Sequence, residues 1–201
     1  MRYFVAIVGG GPAGLAAAAT LASAKGHLPI MEDKKILVVD EGNSDLKRAL
    51  LRNFPAVEIG ALGPQVWEEM KRRVSSFDNV DLVEGKVVSV TGEDGNFTLK
   101  TEDGREFQAE KVIIATGFHK FDIEGLPVEV QPHAKAPRPG KVQLKVDEKK
   151  RVMPGVYAAG LVAGDQTMVA IAMGSGTEAA LNLLSDVVGK TVIIHDVVGK
   201  K

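Results

Sequence analysis

YFVAIVGGGPAGL, residues 3–15, runs from a strand through a glycine turn into a helix. The apolar run Tyr3–Val8 has the length of one fully buried strand and stops on three glycines. Pro12 stands where the first turn of a helix tolerates a missing N–H. Leu15–Lys25 (LAAAATLASAK) consists of strong helix formers, and Gly26 is a suitable stop. Ile36–Val39 (ILVV) is a second buried strand that ends at Asp40-Glu41-Gly42. Strand, helix and strand in that order make a βαβ unit with parallel strands, which places the chain in the α/β class.

Gly9-Gly10-Gly11-Pro12-Ala13-Gly14 contains G-x-G-x-x-G, and each glycine has a mechanical task. Gly9 makes the tight turn, Gly11 lets a diphosphate touch the backbone, and Gly14 brings the helix close to the strand. The helix N-terminus then offers free N–H groups to the phosphates. Asp40 closes the second strand, placed to accept hydrogen bonds from an adenosine ribose, with Glu41 and Gly42 beside it. It lies 26 residues beyond Gly14, where about 20 is usual. The excess fits in the loop Gly26–Lys35, where added length costs little. An acid here favours the unphosphorylated ribose of FAD or NAD over NADP. The plainer alternative is a tight turn followed by a solvated acid. The strand before the turn and the helix after it argue for the nucleotide.

Further along, Leu46–Leu51 and Gln65–Val74 have helical spacing, with breaks at Phe54-Pro55 and Gly63-Pro64. Val87–Val90, Phe97–Thr101 and Arg105–Gln108 are separated by the turn signals Gly92–Asn96 and Asp103-Gly104. They predict a small antiparallel meander inserted into the α/β framework. Lys111–Ala115 (KVIIA) returns to a buried strand and ends at Thr116-Gly117. Four prolines between Ile123 and Gly140 predict a loop, Val142–Val146 alternates like a strand, and Gly155–Ala159 (GVYAA) runs into Gly160. Thr167–Val187 is helical again. Within it Gly174-Ser175-Gly176-Thr177-Glu178-Ala179 repeats a G-x-G-x-x-A pattern, with Asp196 20 residues beyond Gly176. Too little chain follows to complete a second sheet, so these glycines read as the small residues of one close-packed helix. The echo of DVVGK at 186–190 and 196–200 reads as chance or a terminal hairpin.

At 201 residues the chain predicts a single domain, residues 1–201. With no cysteine, it carries no dithiol, thiolate nucleophile or cysteine-ligated metal of its own. Twenty-five Lys and Arg against 26 Asp and Glu, with 5% aromatic residues, give no pull towards nucleic acid. Tyr3–Val8 is too short to span a bilayer and no cleavage signal follows, so a cytoplasmic location is expected. His27, His119, His133 and His195 show no metal-ligand spacing. His119, just after Thr116-Gly117, is the one placed to serve a cofactor as proton donor. Trp67 reads as core packing.

Together these segments resemble the FAD-binding domain of the thioredoxin-reductase-like flavoproteins, within the wider pyridine nucleotide–disulfide oxidoreductase group. The similarity runs from Tyr3 to about Ser185. It rests on the glycine turn with Val39–Gly42, on Asn53-Phe54-Pro55 with Gly63-Pro64, on Val112–Gly117 (VIIATG), and on Pro154–Gly160 (PGVYAAG) with the helix after it. The resemblance implies a Rossmann-like FAD-binding domain with a central parallel sheet. In it Gly11–Gly14 face the diphosphate and Asp40 the ribose, Val87 offers backbone contact to adenine, and Asn53 lies near the flavin end. Ala115, Thr116 and Gly117 would cross close to the cofactor, as would Gly160 and Leu161. The amides of Met168 and Val169 would approach the flavin pyrimidine oxygen, where a helix N-terminus stabilises developing negative charge.

Three departures qualify what this implies. The family's NAD(P)H domain is replaced by a short connection, about 122–141, since only 24 residues lie from Phe118 to Lys141. No dithiol is present. The ribitol-binding Asp is Leu161 here, and Asp165, four residues on, is the candidate substitute. The expected function is a minimal FAD-dependent oxidoreductase taking electrons from NAD(P)H or a partner protein. The alternatives are a non-catalytic FAD-binding subunit or redox-sensing module, and a protein that binds NAD instead. A missing covering domain also predicts an open apolar surface around Phe118–Phe121 and self-association there as a homo-oligomer.

Overall fold

The computed structural model describes residues 1–195. β1 (Arg2–Val8), α1 (Pro12–Ser23) and β2 (Ile36–Asp40) form the expected βαβ unit. A 3-10 turn at Asp45–Arg48 leads to the two-stranded ribbon β3 (Leu50–Leu51) and β4 (Ala61–Leu62), and α2 (Gly63–Val74) follows. β5 (Val80–Glu84), β6 (Val87–Glu93), β7 (Asn96–Thr101) and β8 (Glu106–Ile114) come next. β9 (Val130–Pro132), β10 (Val142–Leu144), β11 (Arg151–Met153), β12 (Val156–Ala158) and α3 (Val169–Val188) complete the order. The main sheet runs β11-β12-β8-β1-β2-β5, parallel except for β11.

A parallel sheet must be covered on both faces, and here two different layers do it. Ile7, Val38, Ile113 and Tyr157 pack against Leu15, Leu21, Leu183 and Leu184 of α1 and α3. Their sheet neighbours Ala6, Val8, Leu37 and Ile114 face the other way, onto Val90, Phe97 and Leu99 of the meander. The period of two along each strand thus sorts one apolar run into two cores. β8 belongs to both systems. One edge pairs with β1 from Gln108 to Ile114; the other pairs first with β7, then with β12.

Of the two glycines in the α3 pattern, Gly176 acts as the sequence predicts and Gly174 does not. A Cβ on Gly176 would sit 2.0 Å from the Ala13 carbonyl oxygen, whereas one on Gly174 would meet nothing within 4 Å. Gly176 is therefore the close-packing position against α1, while Gly174 faces open space. Asp196 lies outside the described residues, as does the second DVVGK.

Other expectations are corrected. Leu46–Leu51 is not a helix: its polypeptide leaves the 3-10 turn at Ala49 in extended geometry, and Leu50 and Leu51 pair with Leu62 and Ala61. The proline-rich stretch is not all loop, because β9 pairs antiparallel with β10, Leu144 opposite Val130. Pro132 ends that strand, a position where its missing N–H is tolerated. β10 itself is shorter than the alternation of Val142–Val146 suggests.

Asp186 fastens α3 to the β11–β12 end of the sheet. It accepts from the Tyr157 hydroxyl at 2.7 Å and Lys149 Nζ at 2.5 Å, with Arg151 at 3.6 Å. Burial opposes its ionisation, but those hydrogen bonds and charges outweigh burial and hold the carboxyl below its usual range. A lowered carboxylate pKa stabilises the fold above the unfolded value, about 4, and that contribution disappears as pH falls below it. Acid unfolding should show this. Between about pH 4 and pH 2 the wild type should lose more stability than Asp186→Asn, whose side chain does not titrate.

Candidate functional site

A cleft of about 350 Å³ opens at the carboxyl ends of β1, β2, β8 and β12, the usual ligand position of an open α/β sheet. Its inner wall is the glycine turn, Gly9 to Ala13. Gly9 adopts φ 110°, donates to the Val39 carbonyl at 2.8 Å, and could carry no side chain, since a Cβ would lie 2.4 Å from the Ala115 carbonyl oxygen. Gly10 donates its N–H to Asp40 Oδ1 at 3.1 Å, and its carbonyl accepts from the Trp67 indole at 2.7 Å. Gly11 is the N-cap of α1, and an added Cβ there would meet only Ser44 Oγ, at 3.5 Å. Backbone is therefore open to a ligand at Gly11. The first-turn amides of α1 have no acceptor within the helix.

Asp40 and Glu41 line the same cleft. The Asp40 carboxylate is buried, with Oδ1 accepting from both Gly10 N–H and Gly42 N–H at 3.1 Å. Ala115, Thr116 and Gly117 cross the middle of the cleft, and Val87 lines it from the meander side. The Thr116 hydroxyl is buried without a hydrogen-bond partner among the described residues. Such a group is costly unless a ligand or water completes it.

Gly160, Leu161, Met168 and Val169 line the cleft as well, Gly160 close beside Ala13 of the turn, with Asn53 near Met168, its amide 3.9 Å from the thioether sulfur. Gly160 donates to Ser175 Oγ at 2.8 Å, which ties this turn to α3. Leu161 is fixed through its carbonyl, which accepts from His133 Nε2 at 2.9 Å. His133 Nδ1 accepts from the Lys135 amide, so the ring proton sits on Nε2. Met168 caps α3, and Val169 opens it, so the helix N-terminus points into the cleft region.

Two sequence-predicted residues stand behind the cleft instead of lining it. Gly14 is a packing position: a Cβ would lie 1.9 Å from the Gly9 carbonyl oxygen. Gly42, at φ 78°, serves by holding Asp40. His119 does line the cleft. Its Nδ1 accepts from Lys141 Nζ at 2.7 Å, leaving Nε2–H to donate to Asp45 at 2.9 Å.

Asp165 is not a lining residue. It turns to Lys150, whose Nζ lies 2.8 and 2.9 Å from its two oxygens, both side chains 15% exposed. Lys150 closes the turn from Asp147 at φ 62°, the one left-handed non-glycine among the described residues. Lys150 keeps Glu178 at 3.8 Å, so Asp165→Ala should lower thermal stability by about 1–3 kcal/mol while leaving cofactor affinity within about twofold. Calorimetry and titration of one preparation check both halves.

The open apolar surface expected at Phe118–Phe121 is absent. Phe118 is buried against the His119 and His133 rings and below Lys141, and Phe121 packs partly onto the meander core. Sequence reasoning missed Asn43, Ser44 and Asp45, which line the cleft, and the Trp67–Gly10 bond. The polar run directly after Asp40-Glu41-Gly42 was the available signal for the first three. No metal-ligand cluster occurs among the described residues, and none of their helices is long and apolar enough to cross a membrane.

A family model, pyridine nucleotide-disulphide oxidoreductase, matches residues 3–136 and 50–176. Thioredoxin reductase from Peptoclostridium acidaminophilum is 34% identical over 115 residues, 57% of this chain and 34% of that protein. Ferredoxin–NADP reductase from Lactiplantibacillus plantarum is 24% identical over 130 residues, 64% of this chain and 38% of that one. The chain thus spans about a third of the length of the curated relatives it matches. Among solved structures, an oxidoreductase from Agrobacterium tumefaciens superposes with TM-score 0.74 at 17% identity, covering 94% of this chain and 99% of that one. A thioredoxin reductase from Gloeobacter violaceus gives 0.74 at 15%, covering 97% and 98%. At such identities the likeness is one of fold.

Proposed function

This chain belongs to the pyridine nucleotide-disulphide oxidoreductase family, and from that premise we propose that it acts as a minimal FAD-dependent oxidoreductase. What carries the reading is convergence on one cleft: an open glycine turn, the Asp40 carboxylate, and the buried, unpaired Thr116 hydroxyl. These are the donors and acceptors that a diphosphate, a ribose and a polar ring edge require. Gly11 and the first-turn amides of α1 would hold the diphosphate, Asp40 the ribose hydroxyls, and Val87 the adenine through its backbone. Asn53, Ala115–Gly117, Gly160 and Leu161 would surround the flavin end, with the Met168 and Val169 amides towards the pyrimidine oxygen.

Bound FAD would supply the electron-transfer chemistry. The chain's own part is to bind, to orient, and to keep protons in place. His119 holds one on Nε2 at the cleft, anchored by Asp45 and Lys141. Electrons would come from NAD(P)H or a partner protein and leave for an acceptor outside the chain, which has no cysteine.

A visible flavin spectrum in the purified or FAD-supplemented protein tests the cofactor. A colourless protein that takes up no added FAD would refute it. Mass analysis of cofactor released by heat separates FAD from NAD.

A second reading, a non-catalytic FAD-binding subunit or redox-sensing module, is favoured by residues 118–141, which hold only loop and the short β9. Anaerobic mixing with NADH and NADPH separates the two readings: rapid bleaching supports the enzyme, indifference the module. We also propose a cytoplasmic protein that self-associates as a homo-oligomer. A monomeric mass at micromolar concentration would refute the latter.

A further inference from the structure

We propose that Trp67 is a positioning residue for the diphosphate: by holding the Gly10 carbonyl, it aims the Gly11 N–H at the ligand. The inference deepens the FAD reading and rests on it. Trp67 lies on α2, 3% exposed and outside the cleft lining, and is the chain's one tryptophan. Its Nε1–H donates to the Gly10 carbonyl at 2.7 Å across 57 residues of sequence. Peptides among the described residues are all trans, and in a trans unit the carbonyl and the following N–H point in opposite directions. Drawing the Gly10 carbonyl onto the indole therefore turns the Gly11 N–H away from α2. Gly11 lines the cleft, and its surroundings are open there.

The same residue is held at its other polar group, since Gly10 N–H donates to Asp40 Oδ1. Gly10 has to be glycine, because a Cβ would lie 2.5 Å from the Asp40 carboxyl carbon. Glycine is also the residue with most backbone freedom to lose. Trp67 and Asp40 remove that freedom from two sides. Two ammonium groups also lie over the indole, Lys71 Nζ at 3.9 Å and Lys47 Nζ at 4.7 Å from the ring centroid.

Trp67→Phe keeps an aromatic ring for the lysines and removes the donor. Titrations of wild type and variant with ADP and with adenosine separate the two roles, since only ADP carries the diphosphate. The variant should bind ADP about three- to tenfold more weakly and adenosine within about twofold of wild type. An undiminished ADP affinity, or an equal loss for both ligands, would overturn the proposal. The wild type provides a second readout if the variant does not fold. Saturating ADP should shift Trp67 emission more than adenosine does, and ADP binding without a shift would also overturn it. A wild type that takes up neither ADP nor FAD defeats the cofactor reading itself, and this inference with it.

Discussion

Gly14→Ala should give a protein that is markedly less stable and purifies without cofactor. The added methyl would lie 1.9 Å from the Gly9 carbonyl oxygen and 3.3 Å from Ile7 Cγ2. The first obstacle is backbone at the turn itself, so no side-chain rotation relieves it. α1 has to retreat from β1, which opens the core under Leu15 and Ala17 and moves the N-terminal amides out of register with the cleft. Overpacking of this kind costs about 3 kcal/mol, roughly 6–12 °C in melting temperature for a domain of this size. Gly174→Ala is the matching control. That glycine is exposed with open space around it, so the substitution should stabilise by about 0.5–1 kcal/mol through helix propensity alone. Thermal unfolding of the two variants beside wild type, with absorbance at the flavin band, measures both effects. Equal stability of the two would show that the close approach of α1 to the turn is misjudged.

Asp40→Ala should weaken FAD binding by about 100-fold. Its carboxylate is the acceptor for the Gly10 and Gly42 amides, and it is 9% exposed. Truncation leaves both amides without that acceptor and removes the acceptor for the ribose hydroxyls. Asp40→Asn divides these two contributions. Both amide bonds fall on one oxygen, Oδ1, which the carboxamide can reproduce; its NH2 cannot accept from a ribose. The Asn variant should thus melt near wild type yet bind FAD about tenfold more weakly, whereas the Ala variant should lose on both counts. Titration by quenching of flavin fluorescence, with melting curves of the cofactor-free proteins, reads the distinction. Wild-type affinity in the Asn variant would remove Asp40 from the ribose.

The parts of this molecule that the sequence makes plain are those where one physical constraint dominates. Tyr3–Val8 and Ile36–Val39 are buried on both faces, so they are continuous apolar runs, and the glycines between them answer to contacts of a few ångströms. The meander is announced by its turns, Gly95 and Gly104 both at positive φ. α3 is recognisable from its small residues. What escapes is set by distant partners. Leu46, Ala49 and Leu50 fit a helix over six residues, and only the pairing of Leu50 with Leu62 makes that stretch a ribbon. Val80–Glu84 is an edge strand with acids at Asp81 and Glu84, so its apolar signal is diluted. Asp165 can be seen to lie near the family's ribitol position, but not that Lys150 has claimed it. Trp67 reads as a core residue, which it is. Its N–H bond to Gly10 has no local signature.

The central position of β1 has a consequence for synthesis on the ribosome. Val8 must wait for Ile114 before its second edge is paired, a delay of roughly 5–20 s at ordinary elongation rates. During that interval the nascent chain can close only the β1–α1–β2 side, leaving a bare apolar strand edge facing solvent. Slow translation ahead of residue 114, or a shortage of chaperone, should therefore lower the yield of this protein before any change in its finished stability is felt.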